Sequence, residues 1–185
     1  MKKTVLTFGL IAGVIISLLM TLAAVVFRDE IGFDHGEIVG YTAMVAAFLL
    51  IFFGVRAYRD NVAGGTVSFG RAFAVGGLIA VVASLCYVAT WEVLFFKVVP
   101  NWGAEYREYL VSKVRAEGTS EAAIAEKTAE IDRNMRLYRN PAFNAAITFL
   151  EPMPVALVVV LLSAAVLSRR KKSDQGVRAL ESQRA

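Results

Sequence analysis

Cysteine and histidine are almost missing from this chain: its 185 residues include one of each, Cys86 and His35. A lone cysteine excludes an intrachain disulfide framework. Inside an apolar run it reads as a packing residue rather than a reactive thiol. No CxxC, HExxH, Walker loop, dinucleotide fingerprint or GxSxG elbow occurs, and no nucleophile–base pair can be assembled. The expectation is therefore a protein without enzymatic activity, without a cofactor and without a bound metal. Charge is scarce as well. Only 19% of residues are Asp, Glu, Lys or Arg, while 57% are hydrophobic, against about 25% and 45–50% in soluble domains. The mean hydropathy is +0.56. That apolar excess needs burial, and lipid is the natural place for it.

Four long apolar runs carry the excess, at about residues 4–27, 38–55, 72–96 and 142–168. A helix needs about 20 apolar residues to cross the ~30 Å hydrocarbon core of a bilayer. The runs lack the alternation of barrel strands, and a helix satisfies its own backbone in lipid. The first run follows Lys2 and Lys3 and has 24 residues. That is too long for the apolar core of a cleaved signal peptide, which is about 7–15 residues.

Basic residues mark the cytoplasmic ends of spans. They flank the first run (Lys2, Lys3), the second connection (Arg56, Arg59, Arg71) and the end of the fourth run (Arg169-Arg170-Lys171-Lys172). The first connection, Arg28 to Glu37, holds one arginine and four acids. The expected class is thus an all-α membrane protein with four transmembrane helices. Both termini are cytoplasmic. Residues 1–170 form one domain, and 171–185 a polar cytoplasmic tail.

Residues 97–141 have eight basic and seven acidic side chains. Their periodicity predicts an extracytoplasmic amphipathic helical hairpin between helices 3 and 4. Pro100-Asn101 starts its first helix, and Trp102, Tyr106, Tyr109, Leu110 and Val114 line one face. Gly118 stops it, and Thr119 or Ser120 caps the second. Asp132 and Arg136 make an i,i+4 pair. Asn140-Pro141 ends the hairpin. Its aromatic face can lie on the bilayer surface, cap the spans or meet a partner.

Two glutamates fall inside spans, where an ionisable group is costly and marks a functional position or a fixed helix pairing. Glu92 lies about 6 Å and Glu151 about 13 Å along a helix from the same end. Tyr87, Asn144 and Thr148 supply neutral polar neighbours, and Lys97 and Arg139 are the nearest cations. Pro152 and Pro154 free the carbonyls of Thr148 and Leu150 beside Glu151. This grouping (Glu92, Glu151, Thr148, Tyr87, Asn144) is the candidate intramembrane polar or ion site. Asp34, His35 and Glu37 form a weak metal signal for which a polar loop is the ordinary explanation. Small residues recur every four positions at Gly9, Gly13, Ser17 and Thr21, and at Gly76, Ala80 and Ser84. Such stripes let helices approach closely, within one bundle or between two copies.

Several segments carry a family resemblance. They are Arg56-Ala57-Tyr58-Arg59-Asp60-Asn61, Gly64-Gly65 with Ser68-Phe69-Gly70-Arg71-Ala72-Phe73, Thr90-Trp91-Glu92, Asn140-Pro141-Ala142-Phe143-Asn144, and Thr148-Phe149-Leu150-Glu151-Pro152-Met153-Pro154. In this order they resemble the DUF4199 family of small bacterial membrane proteins of unknown function, over roughly residues 2–170. The resemblance implies the topology and a bacterial origin, and no activity. The leading expectation is a non-enzymatic accessory or interaction protein of the inner membrane. Its partners are the bilayer and, as further candidates, a second copy or an unidentified membrane or extracytoplasmic protein, with no nucleic acid. The alternative is an ion-, proton- or solute-transport component using Glu92 and Glu151.

Overall fold

The computed structural model describes residues 1–118 and 120–168. The basic cluster at 169–172, the tail and Thr119 lie outside the described residues. The described chain is helical, with no strand. Helix α1 spans Lys2–Thr21 and is lengthened by a wide π-helical turn, Leu22–Val26. Helix α2 spans Arg28–Asn61, and α3 spans Phe69–Val93 with a second π turn, Leu94–Val98. Helices α4 (Trp102–Ala116) and α5 (Glu121–Tyr138) follow. The last span is two helices, α6 (Pro141–Leu150) and α7 (Met153–Leu167). Among the described residues, four helical stretches are long and apolar enough to cross a membrane: Lys2–Val26, Arg28–Asn61, Phe69–Val98 and Pro141–Leu167. Their outward faces are apolar, with Val14 65% and Leu162 61% exposed. Water would penalise such a surface at about 25 cal/mol per Å².

Local signals set the ends. Ser68 accepts a bond from the Arg71 amide, and Ser120 from the Ala123 amide. Asn140 Oδ1 accepts from the amides of Ala142 and Phe143, with Pro141 in the first turn. Gly64, Gly65 and Gly118 adopt positive φ at the turns, a region open to glycine at little cost.

The connection between the first two spans differs from its expected form. Residues 28–37 are helical rather than a loop. Asp29 and Glu30 occupy the first turn of α2, where negative charge suits the helix dipole. Gly32 (φ 58°, ψ −179°) breaks the helix for one residue, after which α2 continues to Asn61. The acids that read as a loop are therefore the start of a long helix.

The helices alternate in direction. Gly9 faces Val82, Gly13 faces Cys86 and Ser17 meets Thr90, so α1 and α3 run parallel. Gly76 faces Ile51 and Val55 of α2 and Val160 of α7, so α3 packs on both, and they also pack on each other. Thus α3 uses one stripe against α1 and another (Gly76, Ala80, Ser84) against α2 and α7. The Gly9–Gly13–Ser17 face is occupied within the chain. The Thr90 hydroxyl lies 2.8 Å from Ser17 Oγ and 2.9 Å from the Cys86 carbonyl. The core runs through Ile16, Phe48, Ile51, Val75, Ile79 and Ala164.

Helices α4 and α5 are joined across their length by Arg107–Asp132 (2.5 Å) and Lys127–Glu117 (2.6 Å). Asp132 thus takes both of its bonds from Arg107 on the other helix, while Arg136 on its own helix acts on it by charge alone. The Arg107 bond holds the Asp132 carboxyl below its ordinary value. A lowered folded-state pKa contributes stability above the unfolded value, about 3.9, and that contribution is lost as pH falls through the folded value. A carbon-13 titration of the Asp132 carboxyl should show a midpoint below the ordinary aspartate range. Arg107→Gln should return it there, and an unchanged midpoint would show that the pair does not form.

Candidate functional site

The last span changes its neighbours where Glu151 sits. Helix α7 packs on both α2 and α3, whereas α6 packs on α3 and α5. Glu151 and Pro152 keep right-handed helical dihedrals between them. The prolines interrupt the hydrogen-bond ladder without unwinding the span. Beyond this point α2 and the end of α1 diverge from α6 and leave a cleft of about 1240 Å³. Its floor holds Tyr87 and Glu151, and Ile16, Met20 and Ala46 form part of its apolar wall. Gly36 and Gly40 give α2 a flat face here, since a Cβ at either would meet nothing within 4 Å.

At the floor, Tyr87 Oη donates to Glu151 Oε2 at 3.0 Å. Tyr87 is buried, while Glu151 remains accessible. Behind it, the buried Thr148 hydroxyl donates to Asn144 Oδ1 (3.2 Å), and Asn144 Nδ2 donates to the Tyr138 carbonyl (3.1 Å). Trp91 Nε1 donates to Tyr138 Oη (2.9 Å). Burial raises the Tyr138 phenol above its ordinary value, so its hydroxyl stays neutral. The structure thus gathers Glu151, Tyr87, Asn144 and Thr148 in one region. The polar side chains behind Glu151 are satisfied mostly by one another, which leaves the carboxylate as the group facing the open space.

Glu92 is placed differently. It does not line the cleft, and its Oε1 is buried without a hydrogen-bond partner. Among the described residues, neither Lys97 nor Arg139 forms an ion pair with it. Glu37, on α2 one turn before Gly40, is one of the carboxylates that line the cleft with Glu151. Burial, and after it the charge of Glu37, raise the Tyr106 phenol above its ordinary value, which places Glu37 beside the aromatic wall.

That wall comes from α4. Phe33 lies within 5.3–5.7 Å of the rings of Trp102, Tyr106 and Tyr109. Trp102 also meets Trp91 edge-on at 5.2 Å. The aromatic face is therefore packed against α2 and α3. Ion pairs hold it there: Arg28 with Glu105, and Asp34 with Lys113 (3.0 Å) and the Tyr109 hydroxyl (2.7 Å). His35 Nδ1 lies 3.3 Å from the Ile31 carbonyl. Asp34 and His35 thus serve helix docking and local backbone contact. No cluster of three metal-ligating side chains occurs among the described residues.

Sequence reasoning missed the cleft itself. Its signals were Gly32, Gly36 and Gly40 at four-residue spacing on α2. Glycines without a packing partner leave space, and those pressed against a neighbour close it.

The class these features define is an all-helical protein with four membrane-length apolar helices and an internal cleft that ends on a glutamate. Residues 7–169 match the family model described as "Protein of unknown function (DUF4199)". The chain belongs to that family. No curated protein and no solved structure matches it.

Proposed function

We propose that the protein is a non-enzymatic, multi-pass component of a bacterial inner membrane that holds a small amphipathic molecule in the cleft. This makes it an accessory or interaction protein that works by occupancy. The carrying observation is an apolar cleft with one accessible carboxylate at its floor, Glu151, fixed by Tyr87. Pockets for small molecules combine mostly apolar walls with a few placed polar groups. Lys2, Lys3, Arg56, Arg59 and Arg71 at one end support a cytoplasmic placement of both termini. The mouth of the cleft and helices α4 and α5 then lie on the extracytoplasmic side.

Native mass spectrometry of protein extracted gently from membranes tests this reading. A co-purifying small molecule is expected on the native chain and should be absent from Gly40→Leu, whose side chain enters the cleft. Equal occupancy of both proteins would refute it.

Transport is the second reading, favoured by the interrupted hydrogen-bond ladder beside Glu151 inside the last span. Discontinuous helices with an acid at the break build transporter sites. It predicts ion or solute flux in proteoliposomes that Glu151→Gln abolishes. A second role for Glu92 in that path should appear as a separate loss in Glu92→Gln. Sealed vesicles without flux under any gradient would remove transport and leave binding standing.

A further inference from the structure

The walls of the cleft indicate the charge of its occupant. Its basic groups are Arg28 and Lys113, and both are already engaged, with Glu105 and Asp34. The acids Asp29, Glu37 and Glu151 also line it, and none of them has an ion-pair partner among the described residues. The cleft therefore presents surplus negative charge in apolar surroundings, where charge is poorly screened.

The aromatic lining acts in the same direction. Tyr87, Trp91, Trp102, Tyr106, Tyr109 and Tyr138 all line the cleft. Ring faces carry a negative quadrupole and attract organic cations, and one ring of this wall already holds a cation, with Lys113 Nζ 4.8 Å from the centre of Tyr109. The volume, about 1240 Å³, exceeds the roughly 300–1,000 Å³ of drug-sized sites. A bare metal ion would leave most of that apolar space unfilled, and the carboxylates do not converge as a ligand shell. An anionic amphipath would meet unpaired acids. Of the simple classes of amphipath, only a positively charged one satisfies walls, volume and charge together.

Resting on the cleft reading above, we infer that the occupant is a lipophilic organic cation. Its apolar body fills the space between α1, α2 and α6, and its charge lies between Glu151, Glu37 and the aromatic wall.

Tetraphenylphosphonium and the equally sized anion tetraphenylborate separate the charge from the shape. Equilibrium dialysis of the full-length protein in lipid nanodiscs, against each probe, is the measurement. Tetraphenylphosphonium should bind saturably, and tetraphenylborate should show only the partitioning seen with empty discs. Glu151→Gln and Glu37→Gln should each weaken the cation about tenfold or more, as for loss of a desolvated charge contact. Gly40→Leu should abolish it. A melting curve on each variant identifies loss by unfolding, and Glu37→Gln, which breaks no hydrogen bond found here, keeps the test open if Glu151→Gln does not fold. If both probes bind and Gly40→Leu blocks both, the charge inference is overturned and the cleft reading survives. If the cation binds but ignores the glutamate substitutions, the charge inference is overturned as well. If neither probe binds above empty discs, both readings fall.

Discussion

Leucine at Gly9 or Gly13 should unfold the α1–α3 contact, while leucine at Gly36 or Gly40 should leave the bundle as stable as before or slightly more so. The four glycines sit on membrane-length helices and look alike in sequence. Their surroundings differ. A Cβ on Gly9 would lie 2.7 Å from Val82 Cβ, and one on Gly13 would lie 2.7 Å from Cys86 Cβ. Neither neighbour is a flexible side-chain end, so one helix must move. Overpacking of this kind costs about 1–3 kcal/mol for modest additions, and a whole leucine at the tightest crossing should exceed that. Further along the same contact, parting the helices would also remove the Ser17–Thr90 contact. At Gly36 and Gly40 the added atoms meet nothing. Removing a helical glycine there should gain about 0.5–1 kcal/mol from backbone entropy. Thermal unfolding in one detergent checks the contrast. Equal losses at all four positions would mean that the cleft is closed in the folded protein.

Replacement of Glu151 by leucine should not destabilise the protein, while Tyr87→Phe should. In a purely structural role, Glu151 would fix a helix pairing and its loss would loosen the bundle. In a ligand role it is a burden carried by the empty protein. An acid at bilayer depth costs about 2.5–3.5 kcal/mol, and an apolar residue of similar size removes that cost. Tyr87→Phe leaves the carboxylate without its donor and should cost about 1.5–3 kcal/mol, the range for a hydrogen bond to a charged group. The double substitution should recover most of that loss, since no charge remains to be satisfied. Unfolding free energies of the four proteins give the cycle. A large loss in Glu151→Leu alone would assign the residue to structure.

Much of this architecture is legible in the chain because its signals are one-dimensional. Apolar runs beginning at Thr4, Ile38, Ala72 and Ala142 mark the spans, and Ser120, Asn140 and Gly118 mark helix ends by local chemistry. The start of α2 is different. Asp29, Glu30 and Asp34 suit a loop and a helix N-terminus equally, and only packing of Phe33 against Trp102, Tyr106 and Tyr109 decides between them. The site was half legible for a related reason. Counting residues along helices places Tyr87 and Glu151 at similar depth, with Thr148 about one turn and Asn144 about two turns nearer the same end. Depth alone cannot say that Glu92 faces away from the space that Glu151 faces, because rotation about a helix axis depends on tertiary contacts. For the same reason Asp132 found Arg107 rather than Arg136. The glycines of α2 show the limit most clearly: identical spacing encodes contact on α1 and vacancy on α2.

The proposed cleft reaches Glu151 from the side inferred to be extracytoplasmic and is inferred to receive a lipophilic cation. Placing a cysteine in its wall tests this most directly, using Gly40→Cys in a Cys86→Ala background and a membrane-impermeant maleimide on sealed vesicles of known sidedness. The prediction is labelling from the extracytoplasmic face that tetraphenylphosphonium slows and tetraphenylborate does not. Labelling only from the cytoplasmic face, or at a rate neither ion alters, would contradict it.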